Sequence, residues 1–395
     1  MRAASYFFLL LCVALPVVAE DEPAIEKHKV GQFNITSGGA PAKIYLQAAH
    51  DYGAKVDPSM VSKARKGELK WFVDKGTQGV TYQVTVPKSY EPGQPHGVVV
   101  FVNSSDGGAL PGSIKQHLEK YRLIGIAAQK SGNEREVLLR HAYAVHAVEL
   151  LNERYDLDPD RIYISGTSGG GRLCSQAMIM NSDVFTGGFP LVGANACITM
   201  KVADSKGNSG MAPGVWQNLD KSRFAKAGRE GRFVFMTGSK DYNQANVKSV
   251  YEGYQKAGFK YVEYIEQPGL GHGVPNAEHI EKALQFLDSP LTEAAHAHYE
   301  DAKKQQEKGR LGEALVLYRK ASLHGRNADW NADAVAQTQT LQAQYEAAYG
   351  VAEAAIASQD NTAFRKATQE LRRTWGEVAD RDVIKDLTNR FRDAG

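Results

Sequence analysis

Five consecutive residues, Gly166, Thr167, Ser168, Gly169 and Gly170, follow directly on the apolar stretch 162–165 and precede a helical stretch that begins near Arg172. A serine hydroxyl is a useful nucleophile only when it is exposed and has a base beside it. A sharp turn between strand and helix exposes it, and glycines on either side let neighbouring backbone approach at so strained a position. The N–H of Gly169, at the start of the helix, then faces the negative charge that grows on a carbonyl oxygen under attack. A phosphate loop is the competing reading of such a glycine-rich turn. It would need a Gly-Lys-Ser/Thr run, or glycines at the first strand of a βαβ unit, and neither fits here.

A serine on such a turn takes its partners from farther along the chain, an acid and then a histidine. The apolar run 232–236 leads into Thr237-Gly-Ser-Lys-Asp241, which places Asp241 just past the C-terminal end of a strand, where α/β sheets build their sites. The next strand, 261–266, runs into Pro268-Gly-Leu-Gly-His272-Gly, a glycine-rich loop that holds one histidine. Asp241 is therefore the candidate acid and His272 the candidate base. Asp204 and Asp220 do not follow buried strands, and His279 falls on the helix that comes next. No His-x-x-x-His pair has a third ligand, and His296 and His298 do not share a helix face, so no metal is expected.

The elements that must position these groups alternate between strand and helix over 68–290, which implies a mostly parallel sheet. Residues 80–86 alternate as a half-buried strand, whereas 97–102 and 122–128 are continuous apolar runs covered on both faces. A long amphipathic helix is expected over 134–153, with strands at 161–165 and 189–192 and a closing helix over 278–287. The segment 200–230, with Met211, Pro213 and Trp216, reads either as a cap over the site or as a surface loop. Arg172, just after the nucleophile turn, reads as a solvated helix residue ahead of a contact for an acidic substrate. Residues 20–67 form an N-terminal extension packed on the sheet edge, and Asn34-Ile-Thr36 is a glycosylation acceptor in a host with that chemistry.

Residues 1–19 read as a secretory signal peptide: Arg2, then apolar residues 6–18, then small Val17 and Ala19 before a cleavage point. Its apolar run is too short to span a bilayer, and no later stretch approaches the roughly 20 apolar residues a membrane helix needs. The mature chain is expected to be secreted or periplasmic. Of three cysteines, Cys12 leaves with the signal. Cys174 and Cys197 then either form a disulfide or remain as two buried thiols. Forty-seven basic residues against 45 acidic ones in a chain of 395 leave a net charge of +2, with no basic excess for nucleic acid.

Beyond Pro290 the composition turns to Ala, Gln, Glu, Lys and Arg. Residues 291–395 read as an all-α unit. Ala302, Gly309, Ala314, Tyr318 and Ala321 fall at the small and aromatic positions of a tetratricopeptide-like hairpin, with further helices over 332–357 and 361–392. Protein binding, self-association and covering one end of the catalytic unit are its candidate roles.

Asp158-Pro-Asp-Arg161 leading into Gly-Thr-Ser-Gly-Gly, then Thr-Gly-Ser-Lys-Asp and Gly-Leu-Gly-His-Gly, resembles the secreted esterases related to polyhydroxybutyrate depolymerases and feruloyl esterases, over 68–288. The resemblance implies an α/β-hydrolase fold and a Ser168, Asp241, His272 triad without a cofactor. It also implies an ester substrate, whether a small ester, a polyester or a plant-wall ester. Such esterases usually carry a His-Gly pair after the third strand. This chain has Asn103, Ser104, Ser105 and Asp106 there, so the second oxyanion donor falls to the N–H of Ser105, or to Ser104 if the register shifts by one. A serine peptidase of the prolyl-oligopeptidase kind shares fold and triad order, and a catalytically silent binding protein is the reading from another class.

Overall fold

The computed structural model describes residues 26–37, 79–204, 206–212, 220–325 and 328–394. The signal peptide, most of the N-terminal extension, and Pro213 and Trp216 lie outside the described residues. Strands β1 (Gly31–Thr36), β2 (Thr81–Val86) and β3 (His96–Val102) are followed by two short helices, α1 (Gly112–Lys115) and α2 (Leu118–Tyr121). Next come β4 (Leu123–Ala128), α3 (Val137–Asn152), β5 (Leu157–Thr167), α4 (Gly169–Met180) and β6 (Gly187–Leu191). A hairpin of β7 (Met200–Ala203) and β8 (Ser209–Ala212) precedes α5 (Lys221–Glu230), β9 (Arg232–Gly238), α6 (Gln244–Lys256) and β10 (Tyr261–Gln267). The remaining elements are all helices: α7 (Ala277–Glu307), α8 (Leu311–Leu323), α9 (Asp329–Ala357), α10 (Asn361–Trp375) and α11 (Arg381–Ala394).

Eight strands form one sheet in the order β1-β2-β4-β3-β5-β6-β9-β10. Only β2 runs against its neighbours; every pair from β4 to β10 is parallel. This order, with its one reversed strand and the Gly-x-Ser-x-Gly turn after β5, is the α/β-hydrolase arrangement, completed by a helical C-terminal region. Side chains alternate across the sheet because successive Cβ atoms point to opposite faces. Val98, Val100 and Val102 of β3 therefore join Ile124, Ile162, Ile164 and Leu173 in one core. Val99 and Phe101 join Tyr163, Val234 and Met236 against α7 on the other face. Because both faces are covered, the central strands read as unbroken apolar runs.

Helix α3 departs from the amphipathic expectation, since every residue from Leu138 to Ala147 is buried, Arg140, His141 and His146 included. On it, His146 Nε2 lies 2.9 Å from Ser37 Oγ. Burial, helped by the neighbouring Arg140 charge, pushes His141 down to about 3, so its imidazole is neutral at physiological pH.

The helix expected to close the catalytic unit near residue 287 does not stop there. Helix α7 runs on through Pro290. Proline has no N–H to give the carbonyl of residue 286, and the hydroxyl of Ser289 donates to that Phe286 oxygen at 3.1 Å instead. Ile280, Ala283, Leu284 and Leu287 pack on the sheet, while Ala302, more than three turns past the proline, belongs to the core of the helical unit with Ala314, Tyr318, Leu341 and Leu371. Gly309, at φ +70°, makes the turn from α7 into α8. Buried Asn331 donates from Nδ2 to the carbonyls of Ala321 and His324 at 3.1 and 2.7 Å, which satisfies the end of α8. The stretch expected as one helix over 361–392 is two, α10 and α11, divided at 376–380.

One ion pair fastens α7 to the sheet. Asp288 accepts from Arg161 Nε and Nη2 at 3.1 and 2.7 Å and from the Tyr163 hydroxyl at 2.5 Å. Nη2 of Arg161 also donates to the Tyr121 carbonyl at 2.7 Å. Removing one partner of a buried pair strands the other charge, at a cost of about 3–5 kcal/mol. Asp288→Ala should lower unfolding stability by about 3 kcal/mol, measured by urea denaturation, whereas Glu293→Ala, at the mouth of the same region, should change it by less than about 0.5 kcal/mol.

Candidate active site

Ser168 stands between β5 and α4 at φ +56° and ψ −113°. A non-glycine residue held in such a region costs on the order of 1–3 kcal/mol and persists only where its surroundings fix it. They do so through backbone. Ser168 N–H donates to the Leu191 carbonyl at 2.8 Å, and the Ser168 carbonyl accepts from Arg172 N–H at 2.9 Å. A Cβ on Gly170 would lie 1.9 Å from the Val102 carbonyl oxygen, and one on Gly193 would lie 2.4 Å from that of Ser168. These glycines let β3, β6 and the turn close on one another without intervening side chains.

Asp241 follows β9 and its carboxylate is shut off from solvent. Oδ2 accepts from Thr237 Oγ1 at 2.7 Å, and Oδ1 accepts from the Asn243 N–H at 3.0 Å. The same Oδ1 lies 2.8 Å from Nδ1 of His272, and His272 Nε2 lies 2.8 Å from Ser168 Oγ. The structure thus brings Ser168, His272 and Asp241, from the ends of three strands, into one hydrogen-bonded line. With the acid holding Nδ1–H, Nε2 is the nitrogen left to receive the serine proton.

Two loops hold the base in place. Lys240 N–H donates to the Leu270 carbonyl at 2.9 Å, Ser239 N–H to the Gln267 carbonyl at 3.1 Å, and Gly269 N–H to Ser239 Oγ at 2.8 Å. Gly238 and Leu270 meet so closely that a Cβ on the glycine would fall 2.1 Å from the Leu270 oxygen. The ring of Tyr242, 58% exposed, stacks on His272 with centroids 4.1 Å apart.

Several other residues fall elsewhere. Asp204 orders the β7–β8 turn, Asp220 caps α5, and His279 pairs with Asn276 at the start of α7. Arg172 is not simply solvated: it donates to Asn195 Oδ1 and Asn243 Oδ1, both at 3.2 Å. Asn243 in turn donates to the Val192 carbonyl at 2.9 Å, so Arg172 braces the acid's loop. Met211, on the described part of the cap segment, is 67% exposed.

Ser105 lies in the exposed loop after β3, and a Cβ on Gly132 would fall 2.8 Å from its carbonyl carbon. That contact joins the loop to the one after β4, where Asn133 N–H donates to the Ser104 carbonyl at 3.0 Å. The side chain of Asn133 reaches Gly169, a neighbour that reading the sequence missed. The signal was available, because Asn133 follows the C-terminal end of a parallel strand just as Asp241 and His272 do.

Cys174 and Cys197 are free and buried. Their sulfurs are turned to different carbonyls, Cys174 Sγ to Ile164 O at 3.2 Å and Cys197 Sγ to Ser175 O at 3.6 Å. Of the two readings of this pair, the arrangement is that of separate thiols. Burial raises both, Cys197 to about 12, which keeps them protonated and poorly reactive.

At the opposite end of the sheet, Asp158, Asp160 and His324 are the one trio among the described residues whose ligand atoms lie within 4.8 Å of one another. There His324 Nε2 and Asp158 Oδ2 are 3.0 Å apart and tie the helical unit to β5. A cavity of about 530 Å³ beside them, lined by Tyr121, Arg161, Asp288, Leu323 and His324, contains no member of the triad. No helix among the described residues is long and apolar enough to cross a membrane.

Residues 144–295 match the family model described as the prolyl oligopeptidase family, which is under half of the chain. No curated protein matches it. Among solved structures, a putative dipeptidyl aminopeptidase IV from Bacteroides ovatus is 16% identical with a TM-score of 0.39, over 54% of this chain and 34% of that one. This chain therefore spans about a third of that protein's length. The feruloyl esterase module from Clostridium thermocellum is 16% identical with a TM-score of 0.40, over 53% of this chain and 83% of that one. A thermostable carboxylesterase cloned from a metagenomic library is 15% identical with a TM-score of 0.38, over 54% and 84% respectively.

The thiol arrangement gives a direct check. After removal of residues 1–19, titration with a disulfide reagent in guanidinium, without reductant, should yield two thiols per chain, and none in the native protein. A yield of zero in guanidinium would mean that the two cysteines are bridged.

Proposed function

We propose that this chain is an exported serine hydrolase that cleaves carboxylic esters through an acyl-enzyme intermediate. The observation that carries the reading is the line Ser168 Oγ, His272 Nε2, His272 Nδ1, Asp241 Oδ1, with 2.8 Å at each of its two hydrogen bonds, headed by a serine on a strained turn. Such strain is retained where it exposes a reacting group.

In the first half-reaction Ser168 Oγ attacks the ester carbonyl carbon while His272 takes its proton at Nε2. The carbonyl oxygen becomes an oxyanion beside the N–H of Gly169, at the positive end of α4. As the tetrahedral species collapses, the bond to the leaving alkoxide breaks and His272 returns the proton to it. Water repeats the sequence on the acyl-serine, with His272 as base, and frees Ser168 and a carboxylic acid. Asp241 stays ionised throughout and supports the imidazolium. None of these steps needs a cofactor.

An ester expels an alkoxide, a better leaving group than the amine of a peptide, so its cleavage asks less of the same triad. The choice among a small ester, a polyester and a plant-wall ester falls to the acyl pocket, which the segment 200–230 would shape from its place in the chain between the strands that precede Asp241. The family-model match favours a second reading, cleavage of peptides by the same triad. Export is supported by the character of residues 1–19, and for the helical unit the continuity of α7 favours a cover for one end of the sheet. Its small-residue hairpin of α7 and α8 also suits a tetratricopeptide-like surface for self-association or a protein partner.

Hydrolysis of p-nitrophenyl acetate and butyrate should exceed that of dipeptide p-nitroanilides in kcat/KM. Ser168→Ala should lower ester turnover by at least about 10⁴-fold and abolish labelling by a fluorophosphonate probe. Faster cleavage of the anilides would favour the peptidase reading. Wild-type protein that is folded yet neither turns over nor labels would remove both.

A further inference from the structure

Gly169 is touched by a side chain from another loop. A Cβ added to it would lie 2.1 Å from Oδ1, 2.6 Å from Cγ and 2.7 Å from Nδ2 of Asn133. All three outer atoms of the carboxamide therefore occupy the space where residue 169 would carry a side chain. Gly169 is the residue whose N–H faces the oxyanion in the reaction above, and Asn133 beside it is an exposed residue.

From this contact we propose that Asn133 is a catalytic residue of the hydrolase, donating an amide N–H from Nδ2 to the oxyanion alongside the N–H of Gly169. The proposal rests on the serine-hydrolase reading. It supplies a donor from the loop after β4, beside a loop after β3 that carries Asn103-Ser-Ser-Asp in place of a His-Gly pair. Nδ2, the donor end of the amide, lies 2.7 Å from the point where residue 169 would carry its Cβ.

The loop that bears Asn133 is built to hold still. Asn133 N–H donates to the Ser104 carbonyl at 3.0 Å, and Lys130 N–H donates to the Asp106 carbonyl at 3.0 Å. Gly132 N–H donates to Asp106 Oδ1 at 2.9 Å. Buried Arg140 binds both loops at once, Nε to the Ser131 carbonyl and Nη2 to the Asn103 carbonyl, each at 2.8 Å. A donor aimed in advance at developing charge costs no reorganisation when the charge appears, and that is what makes oxyanion donors effective. The position also accounts for the glycine at 169, since any side chain there would displace the carboxamide.

Kinetics of the full mature chain on p-nitrophenyl butyrate test the assignment. Asn133→Ala should lower kcat by about 100-fold with KM within about threefold, at an unchanged melting temperature. Asn133→Asp, nearly isosteric but anionic, should fall lower still, because its carboxylate would face the oxyanion. Gly169→Ala keeps its own N–H but expels the amide, so it should match Asn133→Ala, and the double variant should be no slower than either single one. Phenylboronic acid, which forms a tetrahedral anion on Ser168, should bind these variants more weakly by the factor lost in kcat. Wild-type turnover with Asn133→Ala and Asn133→Asp both within twofold of it would overturn the proposal and leave the triad standing. So would a loss confined to KM or to melting temperature. Absence of turnover and of labelling in folded wild type would instead remove the hydrolase reading, and this assignment with it.

Discussion

The turn at Ser168 sets the terms for the rest of the molecule. A serine at φ +56° and ψ −113° is unfavourable alone, so three strands and a helix must agree on where it stands. They agree by bringing backbone against backbone: Val102 against Gly170, Gly193 against Ser168, and the N–H of Ser168 on the Leu191 carbonyl. Each contact needs a glycine or an apolar strand end. The apolar cores on both faces of the sheet hold β3, β5 and β6 in register, and that register keeps the hydroxyl raised.

Once Ser168 is fixed, its hydrogen-bond partners are fixed by the same sheet edge. Strands β9 and β10 are parallel neighbours, paired from Tyr261 with Arg232 to Gln267 with Gly238. The loops after them leave the sheet side by side and cross-link through Ser239, Lys240 and Leu270. Asp241 comes out buried with two donors on its carboxylate besides His272, and His272 comes out between that carboxylate and the serine. The loops after β3 and β4 are cross-linked in the same manner by Arg140, on the other side of the turn. Four loops at one edge are thus stiffened in two pairs, with Ser168 between them.

The helical unit is tied to this arrangement from the far end. Helix α7 carries apolar residues for the sheet in its first half and for the helical core in its second, with Asp288 near the changeover neutralising buried Arg161. The contact of His324 with Asp158 adds a second tie at the N-terminal end of β5, the strand that runs into Ser168. The helices and the catalytic edge therefore share a strand while standing at its opposite ends.

Much of this was legible in residue order. The Gly-x-Ser-x-Gly turn after an apolar strand, the aspartate after 232–236 and the histidine after 261–266 are local patterns, and local patterns dictate which group stands at a strand end. Apolar runs revealed the covered strands for the same reason. What residue order does not contain is distance between segments far apart in the chain. It could not join Asn133 to Gly169, turn Arg172 toward Asn195 and Asn243, or decide whether Cys174 and Cys197 face each other. It also misjudged α7 at Pro290, since a proline ends a helix only if nothing replaces the lost hydrogen bond, and the Ser289 hydroxyl takes up the Phe286 carbonyl. The sequence by itself determined the chemistry of the strand ends, because that chemistry lies in neighbouring residues. Only the tertiary structure decided which ends meet, because that depends on strand order and loop packing, which sum over the whole core.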